Sequence, residues 1–171
     1  DKIAEITITL IAPSKTFNLA GLSTSSVIIS NQDLRKSFNR IVENLHVGNG
    51  NIFGTIASIA AYSHVHEWLE ALLDYIDHNI EFVGDYCRKM IPEIIPVQPE
   101  ATYMIWLDCR KFNMTGKDLR DFFVTKAGIG MNEGSTFGPG GEGFMRMNLA
   151  TTHKTVIKAM EQIEKAVSSL R

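Results

Sequence analysis

The sequence predicts a mixed α/β chain in two parts: the closing segment of a sheet domain over residues 1–67, then a compact α+β unit over residues 68–171. Three observations carry this. Ile6, Ile8 and Leu10 alternate with threonines in EITITLIAP, which is the period of a strand. Trp68, Leu69, Leu72, Leu73, Ile76, Ile80 and Val83 recur at helical spacing between His66 and Met90, so one long helix begins at the division. Beyond it, TYMIWLD and FMRMNLA read as strands and alternate with amphipathic helical segments.

The elements follow in order. Pro13 stops the first strand, and VIIS (Val27 to Ser30) is a short apolar run suited to a second, buried strand. Asn31 is placed to cap a helix through QDLRKSFNRIVENLH, with Leu34, Phe38, Ile41, Val42 and Leu45 on one face. GNGN (Gly48 to Asn51) breaks that helix, and IFGTIASIAAYSH makes another whose small residues predict close packing. The long helix ends before Pro92. In TGKDLRDFFVTKAG, Thr115 and Asp118 form a capping pattern and Gly128 terminates the helix. The last helix runs from Lys154 to Leu170, with Val156, Ile163, Val167 and Leu170 inward; the stripe on the long helix is likewise expected to be core. Two strands and two helices cannot cover their own apolar faces. Residues 1–65 are therefore expected to be the tail of a larger sheet domain whose beginning lies outside this chain.

Composition excludes several functions. The chain has 171 residues, 44% hydrophobic and 21% charged, with a net charge of −2. It carries no basic run suited to nucleic acid or to an anionic membrane. No apolar stretch reaches the roughly 20 residues of a membrane span, and the first residues lack the pattern of a signal peptide. Cys87 and Cys109 lack metal-ligand spacing and are expected to be buried free thiols of a cytoplasmic protein.

Lys15, in IAPSKTFNLAGL, sits in a loop just past a strand, where an amine can project into a cleft. Such an amine forms a Schiff base when its pKa is lowered; Ser14 beside it offers a hydroxyl to a phosphate oxygen, and a solvated surface lysine is the other reading. Arg146, in GFMRMN, presents a planar fork that matches a carboxylate, or else a surface ion pair. Gly138, Gly140, Gly141 and Gly143 form a loop before it that does not end as a P-loop does. Asn132 and Ser135 either line a cleft or make loop hydrogen bonds, and Tyr103 and Trp106 belong to the cleft or to the core. His64 and His66 have no third ligand at metal spacing.

The phrase APSKTFNLAGL resembles the cofactor-lysine segment of fold type I pyridoxal-phosphate enzymes, the class I/II aminotransferase superfamily, and within it the cystathionine β-lyase-like (MalY/PatB) group. IAAYSHVHEWLEALLDYI resembles the interdomain helix, ATYMIWLDCR the small-domain strand, and GIGMNEGSTFGPGGEGFMRMNLA the closing loop and arginine strand. The resemblance implies the C-terminal part of a fold type I enzyme using pyridoxal 5′-phosphate and an amino-acid substrate, as a homodimer when complete. Lys15 would hold the cofactor and later remove the Cα proton, Ser14 would touch its phosphate, Arg146 would bind the substrate carboxylate, and Asn132 would line the substrate site. GNGN would approach the partner subunit's cofactor. The family's aminotransferases carry an arginine eight residues after the lysine, where this chain has Ser23. That departure favours α,β-elimination from a cysteine S-conjugate over transamination. The family's other cofactor contacts lie upstream of the lysine, so this piece alone is expected to be inactive.

Overall fold

The computed structural model describes residues 2–48 and 50–171. Asn49, one residue of the GNGN run, lies outside the described residues. The chain divides into two compact units, residues 1–71 and 72–171, with the division inside the long helix.

In the first unit, β1 (Ile8–Ile11) pairs antiparallel with β2 (Ser26–Ile29), placing Ile8 opposite Ile29 and Leu10 opposite Val27. Helix α1 (Gln32–Asn44) starts where expected: the Asn31 side chain accepts from the backbone N–H groups of Asp33 and Leu34 at 2.8 and 3.1 Å. Asn51 caps α2 (Ile52–His64) in the same way. The apolar face of α1 is uncovered within the unit, with Ile41 and Leu45 exposed and no residue of the helix buried. VIIS forms its strand, but only Ile29 of that strand is buried.

Helix α3 (His66–Met90) has the predicted limits. In the second unit its buried line is Ile76, Asn79, Ile80, Val83 and Cys87. Trp68 and Leu73 correct the expected stripe, since both are about half exposed. At about 100° per residue Leu73 lies only some 20° from buried Ile80, so its exposure follows from its place along the helix, one turn before Ile76, the first buried residue.

The sheet of this unit is antiparallel throughout, in the order β3 (Ile95–Val97), β4 (Met104–Asp108), β6 (Phe144–Asn148), β5 (Asn132–Glu133). The pleat sorts its two faces. Ile105, Leu107, Met145 and Met147 point into a core shared with α3, α4 (Gly116–Phe122) and α5 (His153–Ser168). Trp106, Asp108, Phe144 and Arg146 are left on the other face. Strands β3 and β5, of three and two residues, escape sequence periodicity, and β3 carries Pro96, which an edge position tolerates.

Thr115 caps α4 as its sequence predicts, accepting from Asp118 N–H at 3.2 Å. The helix then widens into a π turn, Phe123–Ala127, and closes on Gly128 in the left-handed region (φ 68°). Asn79 is fully buried and joins α3 to the start of α5: its amide donates to the Leu149 and Thr151 carbonyls, and its oxygen lies 2.8 Å from His153 Nδ1. Cys87 and Cys109 are buried and free, and no described helix is long and apolar enough to cross a membrane.

Candidate functional site

The predicted residues fall into two groups, one in each unit. In the first, β1 runs into a turn pinned by Phe17 N–H donating to the Pro13 carbonyl (2.9 Å) and Leu19 N–H donating to that of Ser14 (3.1 Å). Asn18 takes a left-handed conformation to close it (φ 55°). Lys15 lies in this turn with its side chain exposed, and its amine has no hydrogen-bond or ion-pair partner among the described residues. Ser14 beside it is half-buried. The start of α2 rests on the continuation of the same loop: Asn51 Nδ2 donates to the Leu22 carbonyl at 3.3 Å, and a side chain at Gly54 would collide with Thr24. Phe17 packs edge-on against Tyr62 of α2, centroids 5.2 Å apart. The lysine thus extends an exposed amine from a hydrogen-bonded turn.

In the second unit the strand registers set four residues in a row across the open sheet face: Asn132 beside Arg146, Arg146 beside Trp106, Trp106 beside Val97. Arg146 Nη2 donates to Asn132 Oδ1 at 3.1 Å, and its guanidinium carbon stands 4.1 Å from the centre of the Phe137 ring. Its Nε–H is shielded from solvent without an acceptor, and no carboxylate comes within ion-pair range among the described residues. An arginine held on two sides and left without a counter-charge suits a carboxylate ligand. The alternative, a surface ion pair, is not what the structure contains.

Phe137 was not singled out by sequence reasoning; the available signal was an aromatic residue between Gly134 and Gly138 in an otherwise small-residue loop. It ends a 3₁₀ turn, Gly134–Phe137, whose start is organised by buried Glu133, which accepts from Ser135 N–H (2.9 Å) and from the Ser135 hydroxyl. Ser135 therefore makes loop hydrogen bonds. The backbones of Gly134 and Gly141 approach so closely that a Cβ on either would collide with the carbonyl oxygen of the other. Phe137 stands edge-on to Trp106 (5.4 Å between centroids), as does Phe144 (6.3 Å), and Arg110 lies 5.0 Å above Phe144. A cavity of about 360 Å³ opens between these rings, Val97 and Pro139. Trp106 belongs to this open face, whereas Tyr103 packs against the core.

Other candidates are separate from both groups. Burial pushes the Cys87 thiol up to about 12 and raises Cys109 as well, so neither is a nucleophile at neutral pH. His66 lies 3.9 Å from Glu70, and no set of three metal-ligating side chains gathers among the described residues. The Arg110 guanidinium, in a two-point hydrogen-bonded pair, holds the Asp108 carboxyl below its ordinary range.

No protein-family model matches the chain. Among curated proteins it is 34% identical over 168 residues to cystathionine β-lyase PatB of Bacillus subtilis, covering 98% of this chain and 43% of that protein. Among solved structures it superposes with a TM-score of 0.94, at 32% identity, on a pyridoxal-phosphate-bound candidate aminotransferase of Clostridium difficile 630, covering 97% of this chain and 43% of that one. It also matches cystalysin of Treponema denticola, which contains pyridoxal 5′-phosphate, with a TM-score of 0.88 and 36% identity, covering 99% of this chain and 43% of that one. The chain thus spans less than half the length of these relatives, and its fold is that of the C-terminal part of a fold type I pyridoxal-phosphate enzyme.

Proposed function

We propose that the protein carrying this chain is a pyridoxal-phosphate-dependent carbon–sulfur lyase, cleaving a cysteine S-conjugate such as cystathionine into a thiol, pyruvate and ammonia with uptake of one water. The observation that carries this reading is Lys15: an exposed, unpaired amine on a pinned turn, with the Ser14 hydroxyl beside it, in a chain of this fold.

The donor set fits the cofactor. Lys15 would supply the amine for a covalent link, and Ser14 a hydroxyl for its phosphate. When bound, pyridoxal phosphate supplies an electron sink for charge developing at the substrate Cα. The chain's own residues supply the rest. Arg146 binds the α-carboxylate through its fork, Asn132 holds one arm of that fork, and Phe137 supports its flat face. The Lys15 amine would take the Cα proton as general base. The net reaction would break the Cβ–S bond and take up one water, with the thiol, pyruvate and ammonia as its products. The complete protein is proposed to be a homodimer of the cytoplasm.

An aminotransferase of the same fold is the second reading, favoured by the Clostridium difficile neighbour. Product analysis of the complete protein separates the two. Pyruvate formed from cystathionine without a keto-acid acceptor supports the lyase, and strict dependence on such an acceptor overturns it. Borohydride reduction after pyridoxal phosphate is added, followed by peptide mapping, tests the lysine: label on Lys15 supports the assignment, and no label on the complete protein refutes it.

A further inference from the structure

The second unit holds a groove that neither Lys15 nor Arg146 lines. It has a volume of about 520 Å³, within the range of small-molecule sites. Lys117 and Arg120 line it from α4, and Asn132, Glu133 and Ser135 from β5 and the turn after it. Lys117 and Arg120 are three residues apart, so they share one face of the helix. Both are exposed, and neither charged end has an ion-pair or hydrogen-bond partner among the described residues. The opposite charge is the Glu133 carboxylate. It is largely buried, takes the Ser135 N–H on one oxygen and the Ser135 hydroxyl on the other, and has no described cation within ion-pair range. A Cβ at position 116 would stand 2.7 Å from Glu133 Oε1, so the absence of a side chain on Gly116 leaves that oxygen uncovered on the groove side.

Charges of both signs therefore line one groove without neutralising each other. A simple anion there meets the Glu133 carboxylate, and a simple cation meets Lys117 and Arg120. A ligand with both charges close together satisfies both sides, and the smallest such group is the ammonium and carboxylate of an α-amino acid. We propose that this groove is a further amino-acid-binding site of the chain. The ligand's carboxylate pairs with Lys117 and Arg120, and its ammonium with the Glu133 carboxylate, whose oxygens keep lone pairs beyond those given to Ser135. The Asn132 oxygen is engaged by Arg146, and its amide nitrogen is a further donor for the same carboxylate. Two sources carry this chemistry: a free amino acid, or the far end of a thioether such as cystathionine whose near carboxylate is held at Arg146. Only the second source rests on the role proposed for Arg146.

The test reads binding directly and needs neither cofactor nor turnover. The ¹⁵N-labelled chain is titrated with L-alanine, N-acetyl-L-alanine, L-alaninamide and L,L-cystathionine, with the Arg120 Nε–H signal reporting on the groove and the Arg146 Nε–H signal on the strand. Alanine should move the Arg120 signal, and N-acetylalanine and alaninamide, each lacking one charge, should bind there at least ten-fold more weakly. Glu133→Gln should erase the advantage of alanine over N-acetylalanine. Because Glu133 also organises its turn, Lys117→Ala, at an exposed position, is the second variant: it should weaken alanine at Arg120 at least five-fold and leave thermal melting unchanged. Cystathionine binding at least ten-fold more tightly than alanine, moving both arginine signals and losing that gain in Arg146→Lys, assigns the groove to the far end of a thioether. Cystathionine and alanine binding alike at Arg120 assigns it to a free amino acid. An Arg120 signal that alanine does not move, or N-acetylalanine binding there as tightly as alanine, overturns the site. Those two failures leave the Arg146 signal as an independent reading of the carboxylate anchor, and the reduction experiment tests Lys15 separately.

Discussion

The described residues of the first 71 bury Pro13, Ile29, Gly54 and Ala61, while residues 72–171 bury a cluster of 22 apolar side chains. The exposed surface shows the same contrast: of 24 large hydrophobic residues left open among the described residues, 16 lie before residue 72. Both regions carry well-formed helices and paired strands, so local pattern does not separate them. Whether the pattern is answered by a facing layer does. Helix α2 makes the point. Ile52, Phe53, Ile56, Ile59 and Tyr62 are all exposed, although its sequence is apolar on nearly every side, as in helices packed between two layers. The second unit closes its own core and leaves only one sheet face open, the face that holds Arg146.

The contrast can be tested by substitution, beginning with the largest effect. Leu107→Ala, in the fully buried layer, should cost about 3 kcal/mol by urea denaturation followed by circular dichroism, whereas Leu10→Ala, at a largely exposed site, should cost less than about 0.5 kcal/mol. Comparable losses at the two sites would abolish the distinction. Asn79→Ala leaves His153 without its partner and two carbonyls unpaired, and should cost about 2 kcal/mol, measured in the same way. Thr115→Ala removes one helix cap and should cost about 1 kcal/mol, with Thr115→Ser restoring most of it. The smallest effect is on pH dependence. The Asp108 carboxyl is held low by Arg110 in the folded chain, so its contribution is present above the ordinary aspartate value and is lost as pH falls below about 4. Asp108→Asn should flatten that acid limb in thermal melts collected across pH.

Much of this was legible in the sequence wherever the signal was local. Asn31 and Thr115 cap their helices because a short polar side chain can reach the next exposed amides, whatever surrounds them. The limits of α3 follow from its own periodicity. The exposure of Trp68 and Leu73 did not, because a stripe states which face is apolar but not how far its cover extends. Asn79 was missed since its partners lie about 70 residues away. Strands β3 and β5 are too short to show a period, and Phe137 became visible only when the turn laid it against Arg146. For Lys15, spacing offered only a loop lysine, and its proposed role came from the longer phrase around it.

The meeting of Gly134 and Gly141 has a genetic consequence. Each backbone stands where any Cβ on the other would be, so every amino-acid replacement fails for one steric reason, and replacing both together compounds the clash. In a library covering all single codon changes, these two positions should fall silent for every residue, while Gly138 and Gly140, with open space around them, are limited only by their backbone angles. Two empty columns bracketing Phe137 would mark the fastening of the loop from growth data alone.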